Sequence, residues 1–342
     1  MRKVLTRYAI AVALLLLGLL IATAGGWGVL AITFTGPADT TLRTSLAGAI
    51  AIATLAALVG LGFRRWRGRA LAAYLVLFAG LLVWWSRIEP SNQRDWQTDV
   101  AVLPYATIDG DRVTVHNIRN FDYRSETDYS PAYYDKQFDL SKLEGVDLVA
   151  SYWMGPAIAH TFLSFAFEGG DHLAISIETR KEKGEGYSTI KGFFRQYELF
   201  YVVADERDVI RLRTNFRQDP PEQVYLYRLQ GPLENGRRLF LEYLHGMNAL
   251  RDKPEFYNTL TTNCTTQIWM SARVNTEHIP FSWKILASGY VPQYLYEHGR
   301  LGEHELSFSE VQRRALINTR AKGVDSPLNF SARIRDLSFL DD

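Results

Sequence analysis

One cysteine, Cys264, serves a chain of 342 residues, so no internal disulfide can form. Outside the cytoplasm, where paired cysteines are the rule, such a thiol risks oxidation for no structural return. Metal signatures are missing too: there is no HExxH, no cysteine pair and no EF-hand spacing. Without a glycine-rich phosphate loop, nucleotide hydrolysis has no sequence support. A net charge of +1 argues neither for nor against nucleic acid, and no basic stripe interleaved with aromatics is found. No metal, cofactor or nucleic-acid partner is expected, and no internal repeat or low-complexity tract is found.

Charge is also missing from one long stretch. Between Arg7 and Asp39 no charged residue occurs, and the run "YAIAVALLLLGLLIATAGGWGVLAITF" is long enough to cross a hydrocarbon core of roughly 30 Å. A second run, "SLAGAIAIATLAALVGLGF", ends at the basic cluster "RRWRGR". A third, "ALAAYLVLFAGLLVWW", follows and ends in Trp84 and Trp85, as interfacial tryptophans do. Arg2, Lys3 and Arg7 before the first span, and the arginines between the second and third, orient the N-terminus to the cytoplasm. Everything after Arg87 is then periplasmic, and the protein is a multi-pass inner-membrane protein. The small-residue run "ATAGG" resembles a signal-peptide cleavage site, but the two later spans would anchor the chain in either case. The expected division is 1–87 as anchor, 88–104 as linker and 105–342 as one globular domain.

Within that domain the thiol has particular neighbours. Downstream of Cys264, Ile268, Trp269, Ala272 and Arg273 recur at helical spacing, and Asn263, Thr265 and Thr266 are helix-start residues. The sulfur is expected in a first helical turn, where the dipole and free N–H groups favour a thiolate. That is how a nucleophilic cysteine is made, and it needs a base. Of seven histidines, His116, His245, His278, His298 and His304 are assigned to surface or packing.

His160 and His172 flank "HTFLSFAFEGGDHLAISIETR", an alternating hairpin that turns at "EGGD". Alternation puts His160, Phe162, Ser164 and Ala166 on one face, with Ala174, Ser176, Glu178 and Arg180. Matching the apolar faces sets Glu178 opposite His160 or one pair along, and leaves His172 about four pairs away by the turn. Glu178 is therefore preferred to His172 as the third residue, orienting the imidazole. The floor of small side chains lets another layer approach, and the helix of Cys264 is expected to be that layer. Arg213 and Arg217 are candidates for binding a phosphate or carboxylate.

The runs "PAIAHTFLSFAFEGGDHLAISIETRKEKGEGYS", "GFFRQYELFYVVADERDVIRLRTNFR" and "FYNTLTTNCTTQIW" resemble the bacterial Lnb N-terminal periplasmic domain family, from about Tyr105 to the C-terminus. The order, histidine first and cysteine last, is similar to circularly permuted NlpC-type papain-like hydrolases. The resemblance implies an α/β (α+β) papain-like domain with an antiparallel sheet after a three-helix transmembrane bundle. Cys264 is then the nucleophile and His160 the base. The family's namesake chemistry moves an acyl chain onto the amino terminus of a lipoprotein. Many permuted relatives carry a second histidine where His172 stands, so the third position stays open between Glu178 and His172. Arg180, Ser176, Asn263 and Tyr257 are the candidates for contacting substrate.

Three readings follow. The first is a thiol acyltransferase on phospholipid or lipoprotein. The second is a thiol peptidase or amidase on envelope peptide or peptidoglycan. The third is a non-catalytic envelope module.

Overall fold

A computed structural model describes residues 2–302, 305–322 and 329–338; His304 lies outside the described residues. The chain divides into two compact units, Met1–Pro90 with Ser188–Gln196, and Ser91–Tyr187 with Tyr197–Asp342.

In the first unit the three apolar runs are helices: α1 (Arg2–Thr35), α2 (Thr40–Gly62) and α3 (Arg67–Ser86). All three are long and apolar enough to cross a membrane. Their outward side chains are apolar, with Leu20 at 66%, Ile52 at 70% and Val76 at 75% exposed, a surface that suits lipid and not water. Inside, Ile21, Ala57, Leu61 and Tyr74 form a small core. Gly25 has no room for a side chain because Thr54 of α2 lies against it, the close approach that small residues permit between spans. Asp39 caps α2 by accepting from the Leu42 N–H at 2.7 Å.

The second unit is built on a sheet whose strands are β1 (Tyr105–Asp109), β2 (Arg112–Arg119), β5 (Tyr133–Asp139), β6 (Leu143–Tyr152), β7 (His160–Phe167), β8 (Asp171–Arg180), β9 (Glu198–Ala204) and β10 (Gln223–Arg228). A separate two-residue pair, β3 (Asp122–Tyr123) and β4 (Tyr129–Ser130), stands apart. The order is β1-β2-β9-β8-β7-β6-β10, with β5 also on β2. Pairing is antiparallel except where β2 meets β9 in parallel at Arg119↔Ala204. The hairpin read from the sequence is present, and a second joins β1 to β2. Gly110 (φ +57°) turns β1 into β2, and Gly169 and Gly170 (φ +88° and +85°) turn β7 into β8, conformations that glycine adopts without strain.

Both faces of the sheet are covered, so its central strands are apolar on both sides. Leu163, Phe165, Ile175 and Ile177 pack under helix α5 (Leu233–Asp252) through Phe240, Tyr243, Leu244 and Met247. On the other face Phe162, Ala174, Phe200 and Val202 meet Val209 and Ile210 of helix α4 (Glu206–Arg211), with Ile317, Phe330 and Ile334.

The small-residue face is thus closed by α4 and the π-helical turn Leu212–Phe216 that follows it. This corrects the layer expected there. Helix α6 (Cys264–Ala272) lays Ile268 and Ala272 against the core on the opposite face, because its apolar stripe finds larger partners there than alanine and serine offer.

Of residues 88–104, expected as a linker, 91–104 are packed into the second unit. Trp96 and Val100 are buried. Arg180 holds this segment, donating to Val100 O at 2.9 Å, Asn92 Oδ1 at 2.9 Å and Ala101 O at 2.8 Å, with its guanidinium over the Trp96 ring.

A buried ion pair braces the end of β2 where it meets β9. Arg119 donates to both oxygens of Asp208, the shortest bond being 2.7 Å, and Asp208 also accepts from the Phe121 N–H. Asp208→Ala strands Arg119 as an uncompensated buried charge. Chemical denaturation in detergent is expected to show a loss of about 3–5 kcal/mol.

Candidate active site

Cys264 opens α6, and the local sequence explains why the helix starts there. Asn263 accepts from the N–H groups of Thr265 and Thr266 at 3.0 and 2.8 Å, while the Thr266 hydroxyl accepts from the Asn263 N–H at 2.9 Å. This reciprocal pair is a capping box. Asn263 also donates to Thr259 O at 2.7 Å, so its amide is occupied in shaping the loop and the cap. Thr265 Oγ1 lies 2.8 Å from Thr161 Oγ1 on β7 and pins the helix start to the strand.

How a helix on one face reaches a histidine on the other is explained by a gap in the sheet. The β7–β8 ladder ends at Leu163↔Ile175. Beyond it the Cys264 sulfur comes near the Thr161 N–H and the His160 side chain, both of which favour its thiolate.

Continuing the ladder's register puts His160 across from Glu178. His160 Nε2 is 2.7 Å from Ser176 Oγ and 3.1 Å from Glu178 Oε1, and the Ser176 hydroxyl donates to Glu178 at 2.9 Å. With Nε2 so engaged, Nδ1 is the nitrogen left for the thiol. Ser176, considered for substrate contact, is fully buried and belongs to this chain of hydrogen bonds. His172 pairs with Ala166 near the turn, its Nδ1 donating to Gly170 O at 2.9 Å. The structure therefore brings Cys264, His160 and Glu178 together and leaves His172 outside.

Each charge in the group supports the next. Burial pushes the Cys264 thiol up, but the charge and hydrogen bond of His160 bring it down to about 7. Burial works against the His160 cation, yet Glu178 overcomes it and the imidazole is pushed up to about 9. Burial also disfavours the Glu178 carboxylate, while His160, Arg213 and Arg217 hold it well below the usual range.

Arg213 is the residue whose role the sequence did not show. It is buried, donates to Glu178 Oε1 at 2.9 Å and lies 3.7 Å from Glu222. Glu222 in turn accepts from the Ser151 hydroxyl and from Arg217 at 2.8 Å. The carboxylate that Arg213 binds thus belongs to the chain itself. Arg180, on the same strand as Glu178, has its guanidinium taken up by the 92–101 segment. Tyr257 is buried beside Cys264 and hydrogen-bonds Tyr187; burial first, and then Cys264, push its phenol up.

Glu178→Gln removes the charge that sustains the His160 cation. The pH at which iodoacetamide half-saturates its rate with Cys264 is expected to move up. At neutral pH the alkylation rate is expected to fall by roughly tenfold for each unit of that movement.

The fold and site define a membrane-anchored protein with a mixed α/β domain that presents a cysteine, a histidine and a carboxylate together. The family model of the Lnb N-terminal periplasmic domain matches residues 129–289, a stretch that includes Cys264, His160 and Glu178. No curated protein and no solved structure matches the chain.

Proposed function

We propose that the domain is a cysteine-dependent acyltransferase working beside the inner membrane on a phospholipid or lipoprotein. The observation that carries this reading is the convergence of Cys264, His160 and Glu178 at a capped helix start. Its order and placement, histidine on a strand and cysteine later on a helix, also support a papain-like, permuted NlpC-type core. The positive-inside pattern supports a periplasmic site. Met154 and Ile158, in the loop before His160, and Leu260, in the loop before Cys264, are exposed apolar side chains at 63%, 42% and 50%.

In this mechanism the Cys264 thiolate attacks the ester carbonyl carbon of the donor. The ester C–O bond breaks, the His160 cation gives its proton to the departing alkoxide, and the acyl group rests on sulfur as a thioester. An acceptor amine then attacks the thioester while His160 takes a proton from it, and the thiolate leaves. Glu178 keeps the imidazole oriented and stabilises its cation in both halves.

Intact mass after incubation with phospholipid tests this. An adduct of one acyl chain, removed by hydroxylamine, is expected; peptide or amide cleavage that needs no lipid would instead establish the hydrolase. Donor cleavage is also expected to follow a bell in pH. Thiolate forms as pH rises through about 7, and the imidazolium proton is lost as pH passes about 9, both values belonging to the coupled pair.

A further inference from the structure

The segment Ser188–Gln196 connects β8 to β9, yet it packs as part of the unit that holds α1, α2 and α3. At the end of α1, the Thr35 hydroxyl donates to Phe194 O, and the Phe194 ring lies 5.4 Å from Phe34 and 6.4 Å from Trp85. At the end of α3, Arg195 Nη1 donates to Trp85 O at 2.6 Å and Ile88 O at 3.0 Å, with its guanidinium over the Trp85 ring. Trp85 O already accepts from the Ile88 N–H at 3.3 Å, and Arg195 adds a second, shorter bond to the same carbonyl. Arg195 takes φ +52°, a backbone unfavourable for a side chain of this size, so the turn is held by these bonds.

Next to these anchors, Ile190 and Phe193 stand 56% and 40% exposed. At this end of the bundle α3 closes with Trp84 and Trp85, 6.2 Å apart, and Trp27 of α1 lies 5.1 Å from Trp85. Tryptophans at the end of a span mark the level of lipid headgroups.

We propose that Ser188–Gln196 is a fourth membrane-contacting element, which enters the interface at this end of the bundle and places Ile190 and Phe193 against lipid. The bilayer is the occupant because the segment is bonded to the ends of two candidate spans, whose remaining surroundings are lipid. Lys191, between the two apolar side chains, reaches the phosphate level by extending its stem along them. The proposal does not depend on acyl transfer.

Ile190→Cys and Phe193→Cys, each in a Cys264→Ala background, are spin-labelled and reconstituted in phosphatidylethanolamine–phosphatidylglycerol vesicles. Glu168→Cys, at the β7–β8 turn, is the aqueous control. Labels at 190 and 193 are expected to relax more with oxygen than with a nickel chelate, the reverse of 168. Equal chelate access at 190, 193 and 168 would overturn the proposal. The unsubstituted protein gives an independent reading, with photoactivatable phospholipid carrying its reactive group near the headgroup. Adducts within 188–196 support the element; adducts on α1 to α3 with none in 188–196 overturn it.

Discussion

Cys264→Ser is expected to eliminate the hydroxylamine-labile acyl adduct and to lower donor cleavage on the order of a thousandfold or more. The thiol is one atom from serine in size, so the cap by Asn263 and the Thr161–Thr265 contact survive the change. What is lost is the anion. Against burial, His160 first and then the Thr161 N–H and the Thr265 hydroxyl bring the sulfur down to about 7, and the same surroundings leave a hydroxyl protonated throughout the working range. Mass spectrometry after exposure to phospholipid and release of lysophospholipid are the two readouts. A serine protein that still releases lysophospholipid at the parent rate rules out the thioester route.

The residues differ in how far sequence pattern alone located them. Alternation across "HTFLSFAFEGGDHLAISIETR", with two glycines able to take positive φ, was enough to set the β7–β8 register and the His160–Glu178 juxtaposition. The start of α6 was equally plain, since Asn263 and Thr266 satisfy each other's backbone donors locally. Long-range choices were not written in periodicity. The face on which α6 settles depends on the volumes available on each side of the sheet, and the larger apolar partners won. Arg213, a candidate for binding an outside phosphate or carboxylate, is directed inward by a π-helical turn to Glu178 of the chain itself. Arg180 shares a strand face with Glu178, but a segment taken for a linker folds back and engages its guanidinium. Nothing in "STIKGFFRQ" signals that this part of a strand connection packs with the three long apolar helices.

His160→Ala is expected to slow adduct formation by about two to four orders of magnitude, and its pH dependence distinguishes a chemical role from a structural one. In the parent, the His160 cation is the partner that keeps the thiolate in a buried position. Without it, burial pushes the thiol up, and at neutral pH the anion becomes scarce. Raising the pH restores thiolate, so alkylation of Cys264 by iodoacetamide is expected to recover in alkaline buffer. Transfer from lipid is not expected to recover with it. The departing alkoxide still needs a proton, and the group placed to supply one, held charged up to about 9 by Glu178, is gone. The two measurements on one protein therefore separate: alkylation is restored by pH, acylation is not. If both return together in alkaline buffer, His160 serves only to ionise the thiol and the general-acid step is wrong. If neither returns, the substitution has displaced Cys264 itself, and thermal unfolding of the same sample will show it.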